Sequence, residues 1–246
     1  MKILYFTATG NNLYIAKRLG GELYSIPKLI KEGKYEFEDE KIGIIFPAYG
    51  WSVPKMVEEF LNKVKLKSNY IFGIVSYGAL SGGTTSHLLE IGKRNNIQFS
   101  YINDLLMIDN YLPGFDMDKQ KEKESKKNIE ENLAQIIKDI EVERKYIKEH
   151  PIVRAISKNL MPKYKGDFAK KFSVDDKCNG CKTCEKVCPV NNIKVEKKPT
   201  FGDNCQSCLA CIHHCPQKSI SIKNEKSKAR FINQNVTLKE IIDSNN

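Results

Sequence analysis

Three times in its first hundred residues the chain repeats one pattern: a short apolar run, a polar turn bearing glycine, then apolar positions at helical spacing. Lys2-Ile-Leu-Tyr-Phe6 opens onto Thr7-Ala-Thr-Gly-Asn-Asn12 and a segment with Leu13, Ala16 and Leu19 on one side. Ile42-Gly-Ile-Ile-Phe46 opens onto Pro47-Ala-Tyr-Gly-Trp-Ser-Val-Pro54, then Met56, Val57, Phe60 and Leu61. Tyr70-Ile-Phe-Gly-Ile-Val75 opens onto Ser76-Tyr-Gly-Ala-Leu-Ser-Gly-Gly83 and a helix from about Thr84 to Asn95. Apolar runs of this length read as strands covered on both faces, and their alternation with helices predicts a parallel α/β sheet. Such sheets bind ligands where loops leave the carboxyl ends of the strands. A further strand is expected over Phe99 to Ile108, putting Asn110 and Tyr111 at that same edge. Pro27 to Glu40, short and charged, reads as one turn or a loop. Beyond the last strand a long helix is expected, capped by Asp116, with Ile129, Leu133, Ile136, Ile137, Ile140 and Ile147 as its core stripe.

The cysteines add a second region. All eight lie between positions 178 and 215, and a disulfide scaffold would not leave the larger part of a chain without any. Cys178, Cys181, Cys184 and Cys188 read C-x2-C-x2-C-x3-C before Pro189; Cys205, Cys208, Cys211 and Cys215 repeat the run before Pro216, offset by 27 residues. Three thiolates two residues apart suit one face of an iron–sulfur cluster, with the fourth turned toward a neighbouring cluster. A pair of zinc sites is the alternative, although zinc ligands usually come as separated pairs. The segment 172–222 resembles a bacterial two-cluster ferredoxin, a small α+β domain. The resemblance implies that Cys178, Cys181, Cys184 and Cys215 hold one [4Fe–4S] cluster and Cys205, Cys208, Cys211 and Cys188 the other. Ile193 to Phe201 is expected as a hairpin with Ile220 to Ile222 as its counterpart. Val187, Ile193, Val195, Phe201, Leu209, Ile220 and Ile222 are expected to keep water from the clusters. His213 and His214 read as exposed loop residues, since each cluster already has four cysteines.

The first turn, Thr7 to Asn12, has the chemistry of a phosphate cradle: hydroxyls, a glycine and the start of a helix. It carries no Lys, and the chain has neither G-x-x-x-x-G-K-[ST] nor G-x-G-x-x-G, so a monophosphate fits better than a triphosphate or dinucleotide. With the two later loops, residues 1–150 resemble the flavodoxin family, whose five-stranded parallel sheet of order 2-1-3-4-5 binds FMN. The resemblance implies that Thr7, Thr9, Gly10, Asn11 and Asn12 hold the FMN phosphate. Pro47, Ala48, Tyr49, Gly50 and Trp51 would flank one side of the isoalloxazine, and Ser76, Tyr77, Gly78 and Gly82 or Gly83 the other. Aromatic faces suit the flat ring, and glycines let backbone approach it.

Charge refines the organisation. The formal net charge is +10, yet residues 1–150 are almost balanced and the excess sits in the remainder. Only five of the 40 cations are Arg (Arg18, Arg94, Arg144, Arg154 and Arg230), a composition poor in the bidentate donors that nucleic-acid recognition favours. A basic connector is expected over 151–171, with Arg154, Lys158, Lys163, Lys165, Lys170 and Lys171 between Pro151, Pro162 and the cysteine region. Leu160 and Met161 are expected to anchor it, and 223–246 to fold back as a tail. No stretch reads as a membrane span or a signal peptide, so the expected location is the cytoplasm. Together the halves resemble the flavodoxin/ferredoxin fusion proteins of anaerobes. That resemblance implies an electron-transfer protein passing low-potential electrons between two [4Fe–4S] clusters and FMN and on to a redox partner, acidic if the basic excess guides docking. An FMN-dependent reductase of a small molecule, fed by its own clusters, and a binding protein with structural clusters remain alternatives.

Overall fold

The computed structural model describes residues 1–160 and 165–245. The chain opens with strand β1 (Lys2–Tyr5), helix α1 (Asn11–Leu19), β2 (Glu22–Ser25) and α2 (Ile26–Glu32), then β3 (Glu36–Glu38), β4 (Lys41–Pro47) and α3 (Lys55–Leu61). β5 (Lys65–Lys67), β6 (Tyr70–Tyr77), α4 (Thr84–Arg94) and β7 (Phe99–Leu106) follow, then α5 (Met117–Glu122), α6 (Ile129–Glu141), β8 (Tyr146–Ile147) and α7 (Pro151–Leu160). β1, β2, β4, β6, β7 and β8 form one parallel sheet in the order β2-β1-β4-β6-β7-β8. The expected order is present, with a sixth strand at its edge rather than five strands in all. β3 and β5 pair separately. The apolar runs became central strands because helices cover both faces: Ile3, Phe6, Ile42, Ile44, Phe46, Phe72 and Ile74 are all fully buried.

The connections differ from expectation in three places. Pro27 to Glu40 is not a bare loop. It begins as α2, with Pro27 in the first turn, where its missing N–H costs no bond, and Gly33 at φ 66 ends the helix. The long helix after the last strand is broken. Asp116 does cap, accepting from the amides of Asp118 and Lys119, but it caps the short α5. Asn128 then turns left-handed (φ 48) and α6 starts afresh, so Ile147 belongs to β8 and not to the helical stripe. Finally, the expected basic connector begins as helix α7. Arg154 is buried and pairs with Glu90 at 3.0 Å, while Gly83 allows the α7 backbone to pack against the start of α4. Beyond it, the side chain of Leu160 and residues 161–164, which include Met161, Pro162 and Lys163, lie outside the described residues.

The cysteine region carries β9 (Phe172–Val174), α8 (Thr183–Lys186), β10 (Ile193–Val195), β11 (Pro199–Phe201), α9 (Ala210–His213) and β12 (Ile220–Ile222). β10 and β11 form the expected hairpin, while β12 pairs antiparallel with β9. The tail ends in α10 (Leu238–Asn245), which packs on α2 and β2. Tyr5 donates to Ser244 at 2.7 Å, and Asn245 donates to the Val187 carbonyl at 3.1 Å, so the tail holds both regions. Val187, Cys208, Ala210, Val236 and Ile241 belong to the same apolar core as the six-stranded sheet. Among the described residues no helix is long and apolar enough to cross a membrane.

Gly43 in β4 sits where a Cβ would meet the Phe72 ring at 2.4 Å and Ile3 at 2.9 Å. Gly43→Ala is therefore expected to overpack the sheet face and cost about 1–3 kcal/mol, read as a lowered midpoint in chemical denaturation.

Candidate metal centres and the sheet edge

The two cysteine runs adopt the same backbone twice. Gly180 and Ser207, Lys182 and Leu209, and Asn191 and Lys218 all have positive φ, each pair separated by the offset of the runs. α8 and α9 occupy matching places, as do β10 and β12. After the last cysteine of each run an amide turns back to its sulfur: Asn192 N to Cys188 Sγ at 3.2 Å, and Ser219 N to Cys215 Sγ at 3.4 Å. Left-handed turns of this kind aim successive amides at one point, as a thiolate-bound group requires.

The sulfurs gather in two sets, each drawing on both runs. Cys178, Cys181, Cys184 and Cys215 line one small cavity with Val195, Pro199 and Ile220. Cys188, Cys205, Cys208 and Cys211 line a second with Phe172, Ile193, Phe201 and Leu209. Among the described residues no three His, Cys, Asp or Glu side chains converge at the distances of a single ion. A bulky group held by four thiolates in an apolar shell fits this donor set. The environments differ. Hydrogen bonds from Thr183 draw the exposed Cys181 thiol below its ordinary value, whereas burial pushes Cys184 to about 11 and Cys208 and Cys211 well above the usual range.

At the carboxyl edge of the sheet, the loops after β1, β4 and β6 stand side by side. Ala48 N donates to the Ser76 carbonyl at 2.8 Å, and the Phe6 and Tyr49 rings meet edge to face at 6.0 Å. α1 starts at Gly10, left-handed at φ 102, with no side chain capping its first amides. Thr7 Oγ1 accepts from Gly10 N, Thr9 Oγ1 accepts from Asn110 Nδ2, and Asn12 Oδ1 is buried without a partner. A neutral donor set around an uncapped helix start fits an anionic monophosphate. Trp51 lies against Gly82, where any Cβ would strike its ring, and Asp109 lies as closely against Gly78. Pro47, Gly50 and Tyr77 complete these loops, and Tyr111 and Leu80 are exposed beside them.

What the sequence pattern missed is that the cysteine region seats on this edge. His213 and His214 are not exposed loop residues; they are 2% and 3% exposed. His213 Nε2 donates to the Asn110 carbonyl at 2.8 Å while its Nδ1 accepts from Phe231 N at 3.1 Å. That pairing needs the neutral ring, and burial pushes its pKa down to about 3. His214 donates to the Ala8 carbonyl at 3.0 Å. Gln206 accepts from Met56 N at 3.3 Å. Burial pushes the Tyr49 hydroxyl well above its ordinary range, and the Tyr49 ring packs against the apolar core that includes Cys208 and Ala210. Asn233 of the tail donates its amide to the Thr9 carbonyl at 2.8 Å, and Gly10 leaves room for Asn233 and Val236. A histidine pair between two cysteines was the available signal; which surface would bury it was not encoded locally.

The fold is mixed α/β, with a small cysteine-rich region whose donor set suits iron–sulfur clusters. Residues 170–216 match the family described as 4Fe-4S dicluster domain. No curated protein matches the chain. The domain supports iron–sulfur electron transfer.

His213→Ala would leave the Asn110 carbonyl and the Phe231 amide unpaired, at about 1–3 kcal/mol for each buried group. Hydrogen exchange should accelerate at Phe231, and an unchanged rate there would remove the histidine from this seam.

Proposed function

We propose that this chain is an electron-transfer flavo-iron–sulfur protein. Cys178, Cys181, Cys184 and Cys215 would hold one [4Fe–4S] cluster and Cys188, Cys205, Cys208 and Cys211 a second. Thr7, Thr9, Gly10, Asn11 and Asn12 would hold the FMN phosphate, with Tyr49, Trp51 and Tyr77 among the residues around the ring. When bound, the clusters supply one-electron exchange and the flavin one- or two-electron exchange. The residues themselves bind, screen and align. The apolar lining of the second cavity screens Cys188, Cys208 and Cys211 from water, and the Asn192 and Ser219 amides hold sulfurs Cys188 and Cys215. The uncapped turn at Gly10 offers amides to a phosphate. The observation that carries the reading is the junction. The loop that lines the second cysteine cavity reaches the sheet edge, where Gln206 accepts from Met56 N and His214 donates to the Ala8 carbonyl of the phosphate-type turn. Placing both in one rigid seam replaces collision with a fixed path.

A flavin-dependent reductase of a small acceptor is the second reading. Leu80 and Tyr111, exposed beside the ring-side loops, leave an apolar approach that a small molecule could use. Turnover of small acceptors by the isolated protein, with no partner protein added, would favour it over a carrier.

Anaerobic purification should yield iron and acid-labile sulfide in the amount of two cubanes per chain, with FMN in equal proportion to protein. Asn12→Asp, nearly the same shape, puts a carboxylate at the phosphate turn. It should release the flavin by repulsion and leave the iron content unchanged. Flavin retained at wild-type affinity would refute the assignment of that turn.

A further inference from the structure

The two cysteine cavities, alike in sequence, face different worlds. Around the inner one Cys188, Cys208 and Cys211 are buried and Cys205 is half-buried, and among the described residues no charged side chain lines it. Val187, Cys208 and Ala210 join the core of the sheet beside it, and Gln206, His213 and His214 tie its loop to the strand-end loops. The outer cavity has the more exposed cysteines. Cys181 is exposed, Cys178 and Cys215 are half-buried, and Lys182 lines the opening.

The surface around that outer opening is basic in a particular way. Lys177, Lys182, Lys197 and Lys218 are exposed and form no ion pair among the described residues. The nearby acids are mostly engaged. Asp176 pairs with Lys198 at 2.6 Å, Asp175 accepts the Lys177 amide at 3.0 Å, and Glu185 turns inward to accept the Val195 amide at 3.1 Å. Gly180, at φ 68, has space for the Lys197 carbonyl 3.3 Å from where its Cβ would be, which folds the 196–198 turn over the 178–181 loop. Lysines of three separate segments thus flank the loops of the outer cysteines: Lys177 and Lys182 at either end of the 178–181 loop, Lys197 on the turn over it, and Lys218, whose amide donates to the Cys215 carbonyl.

We infer that the face formed by Lys177, Lys182, Lys197 and Lys218 around Cys181 is the docking surface for an acidic electron-carrier protein. The inference rests on the cluster assignment proposed above and adds which end of the cysteine region meets the partner. Uncommitted lysine charge steers an acidic surface over long range, raising association by about 10–10³-fold at low salt. Compact ammonium charges suit a short-lived encounter, where bidentate Arg would fix a tight one. Each encounter moves one electron across this face. What the docked carrier loses this chain gains, or the reverse; no bond forms or breaks and no proton moves.

The test uses the anaerobically purified full chain and an acidic plant-type [2Fe–2S] ferredoxin as the probe. Calorimetric titration with both proteins oxidised measures docking while no electron moves. Lys177→Glu/Lys182→Glu/Lys218→Glu should weaken binding about tenfold or more at low ionic strength, an effect that added salt erases. Lys93→Glu/Lys138→Glu/Lys145→Glu makes the same change of charge at exposed positions toward the opposite edge of the sheet, and should weaken binding far less. Stopped-flow electron exchange with the reduced probe should follow the same order. Equal weakening by both triples, or no binding of wild type at low salt, overturns the docking face while iron and sulfide content leaves the cluster assignment standing. A wild-type protein lacking iron and sulfide would end both.

Discussion

A carbonyl buried at the end of a strand must find a donor, and at Ala8 and Asn110 the donors are imidazoles that lie between the cysteines of the second run. The ring of His213 uses both nitrogens, one on Asn110 and one on the Phe231 amide, so it joins the last strand-end loop, the cysteine region and the tail at one point. His214 ties in the first turn through one nitrogen, its Nε2 donating to the Ala8 carbonyl. His213 Nδ1 accepts from Phe231 only while that ring is neutral, and burial favours the neutral form. These bonds hold the second cysteine run against the strand-end loops.

From that seating follows an asymmetry absent from the repeat itself. Each run builds the same left-handed turns and the same short helix, because positive φ at matching positions is a local property. One copy is then pressed into the core of the sheet and the other left to solvent. The consequence is chemical: burial holds the Cys208 and Cys211 thiols far above their usual range, whereas Cys181 is drawn down by its hydroxyl neighbour. The two sites thus differ in how far their cysteines meet solvent.

The tail completes the arrangement. Asn233 crosses the first turn, and α10 lies over α2 and β2 with Asn245 reaching back to Val187. A segment of little sequence character thereby fastens both regions, and α7, at the start of the expected basic connector, packs on α4. Polar side chains at the boundary (Gln206, Asn233, Arg154) each find a specific partner, which sets register where apolar contact alone would permit sliding.

The amino-acid sequence by itself determined the parallel sheet and its loop edge, since strands covered on both faces need uninterrupted apolar runs such as Ile42 to Phe46, while the strand order followed from the family resemblance. It also determined the repeated cysteine spacing, because ligand spacing along a chain is a local matter. It did not determine the break at Asn128, the helix at 151–160 or the burial of His213 and His214. Those outcomes depend on which distant surface supplies a partner: Glu90 for Arg154, and the Asn110 and Ala8 carbonyls for the two imidazoles. Local pattern reports what a segment can bury, and only the assembled chain decides against what it is buried.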